Sequence, residues 1–432
     1  MLVAKQRLAQ ADVVVGRVVS QYRAVLADRN VALLLGAGIV SEIGDWFNTV
    51  ALISLAYGFG DGALGVGGMF AARMLTRLIC QGPAGAYVDR HAGRSLLFTN
   101  QLLMAVIASS FAILVLVPEL WLLYLLVILL EAANCIARPA FLVELKLEAP
   151  EEHRSVANGA LFASMTTAQL VGPVLGALVL GPFGAAVVFV INGLTFLGVA
   201  TAVTRVSGGL KASRRVENPH IRSDSAGTGK SKPDVIGYKW LLSRQDLSLY
   251  MLVCLSLALL VQATITLFVV RALTLGLSDS GVGYFYAAVA TGSVSGSIVA
   301  GARAQHLAPL YPAALAMVLC AIALAVFGVA GTLLLSIGVL VVAGFGTDFY
   351  EVVGLTYFQN CLPDAVYARF LSLFLLALTA GGLVGAMAGP VLEQLLGVGT
   401  SLVVLAAPGF ALALILAAMS RTSMTATSGD GI

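Results

Sequence analysis

Charged residues are scarce in this chain. Asp, Glu, Lys and Arg make up 11% of its 432 residues, whereas hydrophobic residues make up 59%, and the mean hydropathy is +0.95. Soluble globular proteins carry about 25% charged residues, so the composition excludes a soluble domain as well as a disordered chain. The net charge of +3 is too small to imply a nucleic-acid partner. The composition therefore predicts a polytopic membrane protein.

Residues for metal, redox or nucleotide chemistry are also few. The five cysteines are an odd number with no C-x-x-C spacing, and the four histidines lack metal-ligand spacing. Reduced thiols that pack as small hydrophobic side chains explain these cysteines. A G-x-x-x-x-G-K-[ST] loop is missing, which argues against a nucleotide-driven pump. We therefore expect no cofactor, no metal and no cleavable signal peptide.

Twelve hydrophobic segments are long enough to cross a membrane, since a spanning helix needs about 20 apolar residues. Backbone groups in hydrocarbon must bond to one another, so these segments are predicted to be helices. The segments are roughly 31–57, 65–88, 95–117, 120–140, 157–180, 184–204, 248–270, 281–302, 309–328, 332–356, 370–392 and 399–419.

Lys and Arg residues indicate the orientation of these spans. With the N-terminus in the cytoplasm, 22 of the 25 Lys and Arg residues lie on the cytoplasmic side, one (Arg271) lies outside, and two lie within the second span. Both termini are therefore predicted to be cytoplasmic, with the chain in a bacterial inner membrane. The predicted units are an N-terminal arm (1–30), a first six-helix bundle (31–205), a cytoplasmic linker with an amphipathic segment (206–247), a second six-helix bundle (248–420) and a C-terminal tail (421–432).

The two halves of the chain resemble each other at a nearly constant offset. A shift of 216 residues carries Gly65-Val66-Gly67 onto Gly281-Val282-Gly283, and a shift of 213 carries Gly172 and Gly176 onto Gly385 and Gly389. Ordered matches at nearly one offset indicate a duplication of six helices. The sequence thus predicts an all-α membrane protein with twelve transmembrane helices in two pseudo-symmetric bundles, the architecture of an alternating-access transporter.

The loop between spans 2 and 3 carries a charged motif with Gly85, Asp89, Arg90 and Arg94. It resembles the G-x-x-x-D-R-x-G-R loop of the major facilitator superfamily, with one residue inserted before its last Gly and Arg. We expect Gly85 to allow a close helix approach. Asp89 is expected to lock the cytoplasmic gate by meeting either the N-terminus of span 11 or Arg138. Arg90 and Arg94 would anchor at the inner leaflet. An ordinary positive-inside loop is the alternative.

Span 5 carries a second motif with Gly172, Pro173 and Gly176. It resembles the G-x-x-x-G-P-x-x-G-G signature of the antiporters of this superfamily, although alanines replace the outer glycines. Proline bends a helix and glycines allow tight helix packing, so packing alone is the alternative interpretation. The resemblance implies that this helix seals the transport path against ion leak.

Much of the chain, from about residue 31 to 420, resembles the enterobactin-exporter and macrolide-efflux branch of the superfamily. This resemblance implies the major facilitator fold and export by alternating access. The residues that carry it are Ser41-Glu-Ile-Gly44-Asp-Trp, Ala72-Arg73, Arg138-Pro139-Ala140-Phe141 and Gln359-Asn-Cys-Leu-Pro363-Asp-Ala-Val-Tyr-Ala-Arg369.

Four charged residues are predicted to lie within spans 1 and 2 at matching depths. Glu42 and Asp45 are one turn apart on span 1, and Arg73 and Arg77 are one turn apart on span 2. Counted from the cytoplasmic ends, Glu42 and Arg77 are both about 18 Å deep, whereas Asp45 and Arg73 are about 22 and 24 Å deep. The sequence therefore predicts the ion pairs Glu42–Arg77 and Asp45–Arg73, either as a static connection or as part of the conformational cycle.

Three further acids, Glu131 in span 4 and Asp348 and Glu351 in span 10, have no cation nearby in the sequence. Intramembrane acids are costly and mark functional sites, and an unpaired carboxylate in apolar surroundings tends to carry a proton at neutral pH. These acids are therefore candidates for proton coupling or for binding a cationic substrate. Pairing with distant arginines or with water is the alternative.

The sequence predicts a secondary active transporter that exports amphipathic small molecules by proton-coupled antiport. Its partners would be the small-molecule substrate, protons and the lipid bilayer, and the protein would act as a monomer. Export of one dedicated siderophore or lysolipid is the alternative within transport. A polytopic membrane enzyme is disfavoured, because the histidines are isolated and the predicted outside loops are only a few residues long.

Epitope tags at residues 1 and 432 test the predicted orientation. We expect both tags to react with a membrane-impermeant reagent only after the cells are permeabilised, because the cations that flank the spans favour the cytoplasmic side. A tag at Pro118, in the short loop predicted to lie outside, is the control and should react in intact cells. Labelling of either terminal tag in intact cells would contradict the orientation.

Overall fold

The structure is a computed structural model that describes residues 23, 27–59, 62–91, 93–149, 154–206, 244–278, 281–303, 311–362 and 364–429. The N-terminal arm to residue 22 and most of the predicted linker (207–243) lie outside the described residues.

The described helices are α1 (Arg29–Phe59), α2 (Ala63–His91), α3 (Arg94–Ser110, extended by a 3-10 turn, Phe111–Val115), α4 (Leu120–Glu148), α5 (Arg154–Arg205), α6 (Gln245–Thr266), α7 (Phe268–Thr274), α8 (Val282–Arg303), α9 (Tyr311–Val329), α10 (Leu333–Cys361) and α11 (Asp364–Gly429). The predicted all-α fold is confirmed.

Ten of the described helices are long and apolar enough to cross a membrane. Two of them, α5 with 52 residues and α11 with 66, are far longer than one span needs. Each is broken by a glycine with a left-handed backbone, Gly184 (φ 78°) in α5 and Gly397 (φ 76°) in α11. The sequence predicts two spans in each of these segments. If α5 and α11 are each divided at their glycine, the ten helices give twelve spans. The number of twelve stays a prediction.

The glycine turns repeat along the chain. Four described residues have a left-handed backbone with φ between 61° and 78°, and all are glycines: Gly62, Gly184, Gly276 and Gly397. A shift of 213 residues carries Gly184 onto Gly397, and a shift of 214 carries Gly62 onto Gly276. Because a left-handed turn without a Cβ penalty needs glycine, both halves reverse the chain in the same way at the same places. The duplication therefore extends to backbone conformation.

Two helices begin with a side-chain cap. Asp28 Oδ1 accepts the backbone N–H groups of Asn30 (2.9 Å) and Val31 (3.1 Å) at the start of α1. Thr332 Oγ1 accepts the N–H of Leu335 (3.3 Å) at the start of α10. These N–H groups lie in the first turn and have no helical acceptor, so the caps remove a desolvation cost where each apolar segment begins.

The outer surface of the helices is apolar. Among the most exposed large hydrophobic side chains are Leu116 and Leu334, each 82% exposed, and Leu395, which is 73% exposed. A water-soluble protein does not expose so many large apolar side chains over all its helices. The surface therefore fits a surrounding of lipid acyl chains.

Both halves pack in the same way. In the first half α1 packs along α5 and α2 packs on α4, while in the second half α6 packs along α11 and α8 packs on α10. The halves meet where α2 contacts α11 and where α5 contacts α8. Since the repeat relates α2 to α8 and α5 to α11, these two interfaces are equivalent. The arrangement agrees with the predicted pseudo-symmetry.

Two glycines allow a close approach of the halves at the distal end, by which we mean the end that holds the four glycine turns. A Cβ at Gly67 of α2 would collide with the Ala386 carbonyl oxygen of α11 and lie 2.8 Å from Pro390 Cγ. A Cβ at the repeat-related Gly283 of α8 would lie 2.9 Å from the Pro173 carbonyl oxygen of α5. Residues that the repeat relates therefore make equivalent close contacts.

An aromatic contact also joins the halves. The rings of Trp46 in α1 and Tyr286 in α8 meet edge to face, with their centroids 5.4 Å apart. Tyr286 in turn packs edge to face on Phe268 at 5.3 Å. The Trp46–Tyr286 contact therefore adds α1 and α8 to the helix pairs through which the halves meet.

Alanine substitutions at the two interface glycines should destabilise the protein. For Gly67→Ala and Gly283→Ala we expect a loss of about 1–3 kcal/mol, since the added methyl group meets backbone atoms that cannot move away. Thermal unfolding of the purified protein in detergent measures the effect. Gly36→Ala is the matched control, because a Cβ there meets nothing within 4 Å and alanine favours a helix over glycine by roughly 1 kcal/mol. Unchanged or raised melting temperatures in both interface variants would contradict the close approach.

Candidate functional site

One carboxylate on α4 binds two arginines on α2. Glu131 Oε2 lies 3.1 Å from Arg73 Nε, and Glu131 Oε1 lies 2.6 Å from Arg77 Nη2. The arginines are four residues apart and so lie on one face of α2, where both reach the same acid. The Glu131 side chain is only 4% exposed. A carboxylate that is buried to this extent needs such partners, because removal of its charge from water is costly.

The prediction of two ion pairs between spans 1 and 2 is wrong. Arg73 and Arg77 bind Glu131 instead of Asp45 and Glu42. Asp45 Oδ1 accepts a long hydrogen bond (3.4 Å) from Asn192 Nδ2. The sequence predicts that these four residues lie at similar depths in the membrane. Their partners differ from the predicted ones because α2 packs more extensively on α4 than on α1. The partner of the arginines is therefore set by helix packing, which depth does not reveal.

Glu42 also has a different partner from the one predicted. Its Oε1 lies 3.9 Å from Nη2 of Arg138 on α4. The Arg138 side chain is 62% exposed, so this pair is long and solvated and contributes little to stability. Like Glu131, Arg138 belongs to α4, so this helix supplies the partners of charges on both α1 and α2.

For Glu131 the structure supports the alternative of pairing with distant arginines. Its two arginines are far away in the sequence, at separations of 58 and 54 residues. The sequence shows only local neighbours, whereas the fold places α2 beside α4. Glu131 therefore holds these two helices together in this conformation.

A cavity opens between α1, α2 and α4 next to these ion pairs. It contains about 280 Å³ of empty space, which includes its open mouth. Asn48 reaches it from α1 with a buried amide oxygen that has no hydrogen-bond partner among the described residues. The lining residues are Asp45, Asn48, Leu52, Arg73, Val127, Leu130, Glu131 and Asn134.

The two acids on α10 have different surroundings. Asp348 Oδ1 accepts a hydrogen bond (3.3 Å) from Ser297 Oγ on α8, so its partner is neutral. Among the described residues, neither Asp348 nor Glu351 forms an ion pair with a cation. Both side chains are partly exposed. The second half therefore presents acids without the arginines that accompany the acid of the first half.

Arg94 of the charged loop motif is buried, contrary to the expectation that it anchors at the lipid surface. It is 5% exposed and forms ion pairs with Glu144 and Glu148 at the end of α4. Glu148 also accepts a hydrogen bond (2.8 Å) from Asn30 Nδ2 of α1. Arg94 thus joins the start of α3 to α4 and, through Glu148, to α1.

The other members of the loop motif are less engaged. Arg90 is exposed. Gly85 does not serve a close helix approach, since a Cβ there would meet nothing within 4 Å. The Asp89 side chain and the side chains at 363–369 lie outside the described part of the structure, so the predicted contact between Asp89 and the start of span 11 stays a prediction.

The span-5 motif packs on two neighbours. A Cβ at Gly172 would lie 2.5 Å from Trp46 Cβ, and one at Gly176 would lie 3.0 Å from Phe47 Cα, so both glycines allow α1 to approach α5. Pro173 faces the other half at Gly283. The motif therefore lies where α5 packs against both α1 and α8.

Sequence reasoning missed several polar residues of this region. Glu144 and Glu148 are acids four residues apart at a helix end where cations are expected, and this unusual spacing was a usable signal. Asn48 and Asn192 are amides inside hydrophobic segments. Because such amides need partners in an apolar environment, they also could have been singled out.

Comparisons with known proteins agree with this architecture. The family model of the Major Facilitator Superfamily matches residues 34–386. An "Uncharacterized MFS-type transporter YfiS" of Bacillus subtilis (strain 168) is 27% identical over 164 residues, which are 38% of this chain and 39% of that protein. The match thus spans about two fifths of that relative's length. The family resemblance of the sequence motifs is confirmed, whereas the enterobactin-exporter and macrolide-efflux branch stays a prediction.

Solved structures share the fold at low sequence identity. A bacterial homolog to the human lysosomal transporter Spinster, inward-facing and unoccupied, has a TM-score of 0.70 and 13% identity, over 92% of this chain and 98% of that one. A bacterial homologue of the iron transporter ferroportin, also inward-facing, has a TM-score of 0.64 and 14% identity, over 91% and 98%. A POT family transporter in complex with a thioalcohol conjugated peptide has a TM-score of 0.67 and 13% identity, over 91% and 96%. These similarities show the fold alone.

A double-mutant cycle should find that Arg73 is coupled to Glu131. Glu131→Gln leaves two arginines without their acid and should cost about 3–5 kcal/mol. The combination of Glu131→Gln with Arg73→Gln should cost less than the sum of the single changes by about 0.5–3 kcal/mol, as expected of contacting residues. Unfolding of the purified protein in detergent provides the measurement.

The cycle of Asp45→Asn with Arg73→Gln is the control for this prediction. These side chains share a cavity but form no ion pair, so their coupling should be clearly smaller. A larger coupling for Asp45 than for Glu131 would restore the pairing that the sequence predicts and contradict the structure.

Proposed function

Since the chain belongs to the major facilitator superfamily, we propose that it exports amphipathic small molecules, either drug-like compounds or secondary metabolites, across a bacterial inner membrane. The superfamily consists of secondary transporters, not of enzymes, so the enzyme alternative is dropped.

Alternating access is supported by how the two halves meet. They touch through equivalent helix pairs, α2 with α11 and α5 with α8, and close contacts at Gly67 and Gly283 join them at the distal end. The Lys and Arg residues that flank the spans favour the opposite end for the cytoplasm. We infer that the substrate path is closed toward the outside in this conformation and that rocking of the halves about the α2–α11 and α5–α8 interfaces would open it.

Antiport is supported by the location of the span-5 motif. Gly172 and Gly176 allow α1 to pack tightly on α5, while Pro173 contacts Gly283 of the other half. A helix that is fixed on both sides in this way leaves little room for water at the interface between the halves. Such a seal is what an exchanger needs, because a leak of protons through the path would uncouple it from the substrate.

The acids on α10 are the observation that carries the proposed proton coupling. Asp348 is bonded to a serine rather than to a cation, and Glu351 lies three residues further on the same helix. Partly buried acids without a cationic partner readily take up and release protons. Glu131, in contrast, is held by two arginines, so we assign it to the connection of α2 with α4.

An accumulation assay tests export. Cells that lack their main efflux pumps and express this protein should accumulate less of several amphipathic dyes and drugs, and a protonophore should abolish the difference. A response to a single siderophore or lysolipid, with none to the other compounds, would favour the alternative of a dedicated exporter. Accumulation that rises with expression would contradict export.

Neutral replacements on α10 should abolish the proton coupling. In proteoliposomes, substrate-induced proton release should be lost in Asp348→Asn or Glu351→Gln, because an amide cannot carry the exchanged proton. Glu119→Gln is the matched control, since Glu119 is an exposed acid between α3 and α4, and it should behave as the unmodified protein. Normal proton release per transported substrate in both α10 variants would move the coupling group elsewhere.

A further inference from the structure

An unsatisfied acceptor faces the cavity between α1, α2 and α4. Asn48 is 3% exposed, and its Oδ1 is buried without a hydrogen-bond partner. Asn48 lines the cavity one turn beyond Asp45 on the same helix. A buried acceptor is destabilising until a donor fills it. Among the described residues no donor reaches this oxygen, so it is available to accept a hydrogen bond from a molecule bound in the cavity.

Asp45 in the same cavity has a carboxylate without an ion pair among the described residues. The charged groups that face it are Glu42 on its own helix, Arg73 on α2 and Glu131 on α4. Of these, Arg73 is bound through Nε to Glu131, and Glu42 lies 3.9 Å from Arg138. The hydrogen bond from Asn192 is long at 3.4 Å. A cation in the cavity would thus stabilise Asp45, since an ionised carboxylate out of water needs a partner.

Arg77 does not prevent a cation from entering. Its guanidinium is engaged with Glu131, and 44% of its side chain is exposed. Arg77 does not line the cavity and is not among the charged groups that face Asp45. Of the groups that do face it, Arg73 is paired with Glu131 and Glu42 with Arg138. Asp45 is therefore the carboxylate of the cavity that has no ion pair among the described residues.

The size of the cavity restricts what can bind. Apart from its open mouth, it has room for about one water-sized group. Leu52, Val127 and Leu130 form the apolar part of its wall, and Asn134 adds a second amide. A primary ammonium group, which is as small as water and donates three hydrogen bonds, fits this space and these acceptors. A trimethylammonium group is too large and donates none.

We propose that Asp45, Asn48 and Asn134 form a subsite for the primary ammonium group of a cationic amphipathic substrate. The ammonium would donate to the Asp45 carboxylate and to the Asn48 amide oxygen, while the apolar body of the substrate would extend from the mouth of the cavity between the halves. This inference rests on the proposed transport of amphipathic small molecules and assigns their chemical class. It leaves the proton-carrying role with the acids of α10.

Binding to the purified protein in sodium-free detergent solution tests the subsite. The probes are 2-(1-naphthyl)ethylamine and its N,N,N-trimethyl counterpart, which differ only at the nitrogen. We expect the primary amine to bind about tenfold more tightly or better, the size of effect that hydrogen bonds to a charged group produce. Equal affinity of the two probes would overturn the proposal and leave the cavity to water.

Substitutions locate the binding in this cavity. Asn48→Leu should lower the affinity for the primary amine about tenfold and leave the trimethyl probe unaffected, whereas Asn48→Asp, which keeps an acceptor, should retain binding of the amine. Gln262→Leu is the matched control, because Gln262 on α6 is also a buried amide with an unsatisfied atom but does not line the cavity. Equal effects of Asn48→Leu and Gln262→Leu would overturn the assignment.

Two further outcomes keep the proposal separate from the proposed export. Binding needs neither a proton gradient nor transport. Tight binding of the amine by a protein that exports none of the compounds in the accumulation assay would therefore contradict export and leave the subsite standing. Displacement of the amine by sodium chloride but not by choline chloride would assign the cavity to a metal cation and overturn the proposal.

Discussion

One carboxylate shared by two arginines determines the charge distribution of the first half. Because Glu131 neutralises Arg73 and is bonded to Arg77, three charges that would be costly in hydrocarbon become one network between α2 and α4. The same contact leaves Asp45 on α1 without an arginine, next to an unsatisfied amide. The polar cavity lies between this ion-paired network and Asp45, which has no ion pair among the described residues.

The scaffold is duplicated, whereas its charges are not. Glycine turns, helix pairs and the close contacts at Gly67 and Gly283 repeat in both halves. The arginine-held acid on α4 has no equivalent on α10, where Asp348 bonds to a serine. The two halves therefore share one helix arrangement but carry different charged residues. We propose that the first half binds the substrate and that the acids of α10 in the second half exchange protons.

A second network ties the helix ends together away from the cavity. Arg94 is buried between Glu144 and Glu148 of α4, and Glu148 reaches Asn30 at the start of α1. Three helices, α1, α3 and α4, are therefore connected at that end. Such a connection is consistent with rocking of a whole half rather than bending of single helices.

The sequence by itself determined the class of protein, the all-helical fold and the repeat, because hydrophobic length is a local property of the chain. The glycine turns at Gly184 and Gly397 became visible only in the structure. It also identified the charged residues, since any such residue inside a span is conspicuous. Only the tertiary structure decided which charges pair. Depth along a helix can be counted from the sequence, but the neighbour at that depth depends on helix packing, and Arg73 therefore binds Glu131, 58 residues away, rather than the acid predicted on α1.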